Sequence, residues 1–105
     1  MSALKLYAGN NDHLIELLGA QNAADDSYLN SAVVSAVIKD SNGTAVTGSP
    51  VTLSYVASSN GNYRGTLDKD AGLTDGEIYT VTITLSQSGI DAEWEIDVTA
   101  EKRAA

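Results

Sequence analysis

The chain has 105 residues, 43% of them hydrophobic and 19% charged, a globular composition at a length that suits one domain. It has no cysteine, which excludes a disulfide framework, a thiol nucleophile and any zinc site built on cysteine, and fits assembly in a reducing compartment. Its 14 acidic and 6 basic residues give a net charge of −8, a field that repels phosphate backbones and anionic membranes.

Period-two alternation dominates the chain, and turn residues interrupt it regularly. Residues 4–7 form a short candidate strand, with no apolar stretch that would mark a secretory signal. Residues 13–18 are the next. The polar stretch 19–30 follows, where residues 20–24 are expected to make at most one helical turn. Residues 31–39 read as a strand apolar on both faces, with Val34, Ala36 and Ile38 on one side and Val33 and Val37 on the other, so a central position is expected. Asp40-Ser41-Asn42-Gly43 is a strong turn signal, because Asn-Gly tolerates positive φ. Residues 44–46 make a short return strand. Pro50 stands at the entrance to a strand over residues 51–56, where a missing amide donor does least harm.

After a turn at residues 58–62, residues 63–67 place Tyr63 and Leu67 on one face, and Tyr55 shares the phase of Leu53. Residues 68–75 are a loop. Residues 77–86 are the longest strand, with Tyr79, Val81, Ile83 and Leu85 inward. Residues 92–99 are the last, with Ala92, Trp94, Ile96 and Val98 toward the core and Glu93, Glu95 and Asp97 toward solvent. Seven or eight strands at this spacing are a sandwich or small-barrel pattern.

Candidate chemistry is sparse. His13 is the single histidine and lacks the spacing of a nucleophile–base–acid set, so it reads as a half-exposed strand-end residue. Asp68, Asp70 and Asp75 supply few oxygens for calcium, and Lys69 weakens the local field; a solvated loop is the expectation. Asp25 and Asp26 read as a turn cap. Glu93, Glu95 and Asp97 form an acidic row that discourages edge-to-edge pairing, or contacts a basic partner. Trp94 is assigned to the core, while Tyr7 and Tyr28 are the aromatics expected to be exposed. No catalytic, cofactor-binding or metal-binding residue is assigned, and no cofactor is expected.

Leu73-Thr74-Asp75-Gly76-Glu77-Ile78-Tyr79 resembles the tyrosine corner of fibronectin type III domains, in which the tyrosine hydroxyl bonds back to the corner's backbone. More broadly, His13-Leu14-Ile15-Glu16-Leu17, Tyr28-Leu29-Asn30-Ser31-Ala32, residues 33–43 and 51–56, and Asn60-Gly61-Asn62-Tyr63-Arg64-Gly65-Thr66-Leu67 resemble small immunoglobulin-like proteins encoded among the structural genes of tailed phages and prophages. The resemblance spans residues 13–99.

The sequence and this resemblance together set the expectations. The fold is all-β, a two-sheet antiparallel immunoglobulin-like or fibronectin III-like sandwich of seven or eight strands. It is a single domain over residues 1–105, with a flexible N-terminal arm (1–12) and tail (100–105). The resemblance implies a non-enzymatic virion protein assembled in the host cytoplasm. A capsid decoration or cement role is expected, or that of a head–tail adaptor or tail accessory protein. Its partners are other virion proteins, met in multiple copies per particle, with neither nucleic acid nor membrane. The reading of another class is a glycan-binding adhesion module using Tyr7 or Tyr28. The segments 1–12 and 19–30 are the expected contact regions, since the periodic strands are committed to the core.

Overall fold

Wherever apolar residues keep an unbroken period of two, the backbone extends and pairs. The computed structural model describes residues 6–9, 11–22 and 24–102. The strands are β1 (His13–Leu17), β2 (Val33–Lys39), β3 (Val51–Tyr55), β4 (Tyr63–Leu67), β5 (Ile78–Gln87) and β6 (Ile90–Thr99), with a 3-10 turn at Lys69–Ala71. They form a six-stranded antiparallel arrangement in the order β1-β4-β3-β2-β5-β6.

Two expected strands shrink to single bridges. Residues 44–46 are too few for a ladder and meet β2 in one bridge, Ala45 opposite Lys39, with the Val46 N–H donating to the Ile38 carbonyl at 2.9 Å. In the segment 4–7, Leu4 and Lys5 lie outside the described residues, and Tyr7 makes one parallel bridge to Glu101. No helical turn forms over the described part of 20–24. Ala20 is buried, and Gln21 bridges Tyr28 instead.

The curl of the sheet is made at β3. Ser54 and Tyr55 pair with Arg64 and Tyr63 of β4, whereas Val51, Thr52 and Leu53 pair with Ala36, Ser35 and Val34 of β2. One strand thus passes from one neighbour to the other within five residues. Gly65 of β4 permits the crossing: a Cβ there would lie 2.5 Å from the Thr52 carbonyl oxygen.

The concave side buries one core. Ile15 and Leu17, Val34, Ala36 and Ile38, Leu53, Tyr63 and Leu67, and Tyr79, Val81, Ile83 and Leu85 all face it, joined by Leu6, Leu29, Leu73 and Ala100 from connecting segments. Each fully buried aliphatic side chain contributes about 1.5–3 kcal/mol. Leu6 and Ala100 bring the segments before β1 and after β6 together, and Ala8 N–H donates to the Glu101 carbonyl at 2.8 Å.

β2 is central, between β3 and β5, but its second apolar face is left uncovered: Val33 is 75% exposed. An antiparallel sheet can leave one face to water. Tyr55 departs from its expected core position. It is exposed at the end of β3, and its ring tilts against Tyr63 at 5.6 Å. Trp94 also departs from full burial, because β6 is the last strand and only half of its inner face is covered.

Candidate functional site

Turn chemistry positions the loops. Asp40 Oδ1 accepts from the N–H of Asn42 and Thr44 at 2.9 and 3.0 Å, closing the turn after β2. Ser88 and Gly89 both take positive φ, 49° and 82°, which suits the two-residue turn joining β5 to β6. The polar stretch after β1 is tied to the β3–β4 turn: Asn62 Oδ1 accepts from Gly19 N–H at 2.9 Å and Asn30 Oδ1 from Gly61 N–H at 2.8 Å. These side-chain bonds stand beside one backbone bond, Ala20 N–H to the Gly61 carbonyl at 2.9 Å.

Two tyrosines act through their hydroxyls. Thr74 N–H donates to the Tyr79 hydroxyl at 2.8 Å, a bond back to the backbone of the preceding corner while the ring is buried. Tyr63 is fully buried. Its hydroxyl donates to the Leu29 carbonyl and accepts from Ala32 N–H at 3.1 Å, so it pins the segment entering β2. The sequence marked Tyr63 as core by phase but carried no sign of this bridge.

His13 opens β1 as expected but is buried. It is 4% exposed, its Nε2 accepts the Tyr7 N–H at 2.9 Å, and its ring stacks on Tyr7 with centroids 6.3 Å apart. An imidazole that accepts there carries its remaining proton on Nδ1. It therefore stands at a strand end, as the first residue of β1, but buried rather than half-exposed, where it holds the Tyr7 segment against β1. Tyr7 is half-buried by the same contact, whereas Tyr28 is exposed.

Several aspartates accept from backbone or hydroxyl donors. Asp68 caps the 3-10 turn by accepting from Asp70 N–H at 2.9 Å, and Asp12 Oδ1 accepts from Lys69 N–H at 2.8 Å. Asp25 accepts from the Ser27 hydroxyl at 2.7 Å and its N–H at 3.0 Å, and these bonds hold its carboxyl below the usual range. Among the described residues no three acidic or histidine side chains gather as metal ligands.

The most distinctive surface is the outer face of β2, β5 and β6. The register sets Lys39 beside Thr80 and Asp97, Val37 beside Thr82 and Glu95, Ser35 beside Thr84 and Glu93, and Val33 beside Ser86 and Asp91. This is a hydroxyl-rich row with a carboxylate row along its flank. An open groove of about 440 Å³ lies over its β5–β6 end, lined by Val33, Ser35, Thr84, Ser86, Asp91 and Glu93. Ser35 Oγ and Thr84 Oγ1 are 3.1 Å apart, and Thr80 Oγ1 donates to Asp97 at 2.9 Å. These groups offer hydrogen bonds and negative charge on this face, and the Thr80 hydroxyl is the one set against a carboxylate of the row. No family model, curated protein or solved structure matches the chain.

Proposed function

We propose that the chain is a non-enzymatic structural protein of a tailed-phage particle, acting as a capsid decoration or cement protein. The observation that carries the reading is the resemblance over residues 13–99 to small phage structural proteins. The all-β, antiparallel architecture is compatible with it. The finer fold in this reading is an immunoglobulin-like sandwich. β1 and β4 form one layer, β2, β5 and β6 the other, and β3 is shared between them. The Tyr79 corner closes the turn into the second layer. Repeated copies on a lattice would add avidity to individually weak contacts.

Mass spectrometry of purified particles tests the reading, with the chain expected as an abundant component. Its absence from particles overturns it. Copies spread over the shell support decoration, and a single ring's worth supports a head–tail or tail adaptor. A glycan-binding module is the reading of another class. Exposed Tyr28 is the aromatic that favours it, and glycan-array binding lost in Tyr28→Ala would establish it over the first.

A further inference from the structure

We propose that the outer edge of β6 is a docking edge that takes an extended, basic segment of another polypeptide as an added strand. The inference is independent of whether the chain belongs to a phage particle. It begins with the backbone. Ala100 N–H donates to the Glu77 carbonyl and the Ala100 carbonyl accepts from Gly76 N–H, so both groups point toward β5. Backbone direction alternates along a strand in an antiparallel ladder. Asp91, Glu93, Glu95, Asp97 and Thr99 therefore turn their N–H and C=O groups away from β5. Glu101, in the same phase, already uses that side: it donates to the Leu6 carbonyl at 3.2 Å and accepts from Ala8 N–H at 2.8 Å. From residue 91 to 99 no backbone group of the described residues bonds to this edge.

The edge is long and regular. β6 pairs with β5 over ten consecutive positions, with no proline, glycine or bulge. Sheet edges are ordinarily blunted by shortness, bulges, proline or charge, and here only charge is present. The core-facing side of β6 is also incomplete. Ala92, Trp94, Ile96 and Val98 stay partly exposed, while Tyr79, Val81, Ile83 and Leu85 on β5 are at most 3% exposed. One more strand would cover them.

Charge selects the occupant. Asp91, Glu93, Glu95 and Asp97 repel the same row on a second copy, so β6-to-β6 pairing is disfavoured. A strand with Lys or Arg at every second position matches them, because both rows repeat at about 6.8 Å. Its intervening apolar residues fall on the side of Trp94 and Ile96. The complement is thus an extended segment that alternates basic and apolar residues.

The probe is a blocked nine-residue peptide of alternating lysine and valine, added to the full chain. Trp94 is the only tryptophan and reports directly. Saturable binding is expected, with a blue shift of its emission, weakening with salt, and slowed amide exchange at Glu93, Glu95 and Asp97. A glutamate–valine peptide should not bind, nor should the lysine peptide N-methylated at alternate residues. Glu93→Lys with Glu95→Lys should cost at least about tenfold in affinity for the lysine peptide, and Glu93→Gln with Glu95→Gln should weaken it with less risk to folding. Binding that is indifferent to these changes, absent, or without slowed exchange at those amides overturns the proposal. So does dimerisation through β6. Exchange at Glu95 and Asp97 that is already slow, and is released by deleting residues 1–5, overturns it as well, since the chain's own N-terminal segment would then fill the edge.

Discussion

Gly65→Ala puts a methyl group where β3 changes neighbours. The new Cβ would stand 2.5 Å from the Thr52 oxygen and 2.9 Å from Val51 Cγ1. An ordinary C···O contact is about 3.3 Å, so β3 and β4 must part by roughly 0.8 Å. The atom struck is backbone, held in the β2–β3 ladder, and cannot rotate away. Overpacking of this kind costs about 1–3 kcal/mol, and the upper half applies here. Removing glycine's freedom from the unfolded chain returns roughly 0.4–1 kcal/mol. The expected net loss is about 1–2.5 kcal/mol, or roughly 5–20 °C in Tm. Gly89→Ala is the control. It has positive φ but no atom within 4 Å of the added carbon, so its cost is the left-handed backbone alone, about 1 kcal/mol. Urea melts of both variants with unchanged m-values make the comparison. A Gly65→Ala protein as stable as wild type, or more stable than Gly89→Ala, would refute the close crossing.

The tyrosines should rank by what their hydroxyls bridge. Tyr63→Phe leaves the Leu29 carbonyl and the Ala32 N–H without their partner and should cost about 1–3 kcal/mol in chemical denaturation. Tyr79→Phe loses one acceptor for Thr74 N–H and should cost about 0.5–1.5 kcal/mol; a melt with no change would count against the corner. Asp25 has a lowered folded-state pKa, through the Ser27 hydroxyl first and the Ser27 N–H second. Its contribution to stability is therefore present above the ordinary value of 3.8 and is lost as pH falls through the lowered folded value. Titration of its side chain by NMR should give a midpoint below 3.8, returning toward 3.8 in Ser27→Ala.

Much of the ladder was legible because alternation dictates which side chains can be buried together. The inward sets of β2 and β5 follow from it directly, whereas the two-residue Ser88-Gly89 turn that sets the β5–β6 register lies in the gap read between residues 86 and 92. What alternation cannot tell is how many neighbours a strand has. Trp94 and Leu85 read alike in sequence, yet one lies on a last strand and the other on a flanked one. The same gap explains Tyr55, which keeps core phase at a strand end where the cover stops. His13 was misread because its partner, the Tyr7 backbone, comes from a segment whose place was not encoded in any period. The Asn30 and Asn62 ties were hidden for a similar reason. They are side-chain bonds between loops far apart in sequence. The outer acidic row was readable as a row, but its coincidence with the outward backbone groups of β6 needed the ladder.

The two-residue connection between β5 and β6 also bears on how the chain reaches its native state. A hairpin closed so tightly can zip in about 1–10 μs. Every other strand-to-strand ladder must close a longer loop, the widest-spaced ladder pair being His13 against Leu67, and the Tyr7–Glu101 bridge reaches further still, which points to overall folding on the millisecond-to-second scale. The fastest-forming piece is β5 with β6, so on the ribosome β1 to β4 emerge before the template they will assemble upon. Folding is then expected to start only once β5 and β6 are out and to run from them back toward β1, with β2 the first strand recruited to the hairpin and β1 among the last.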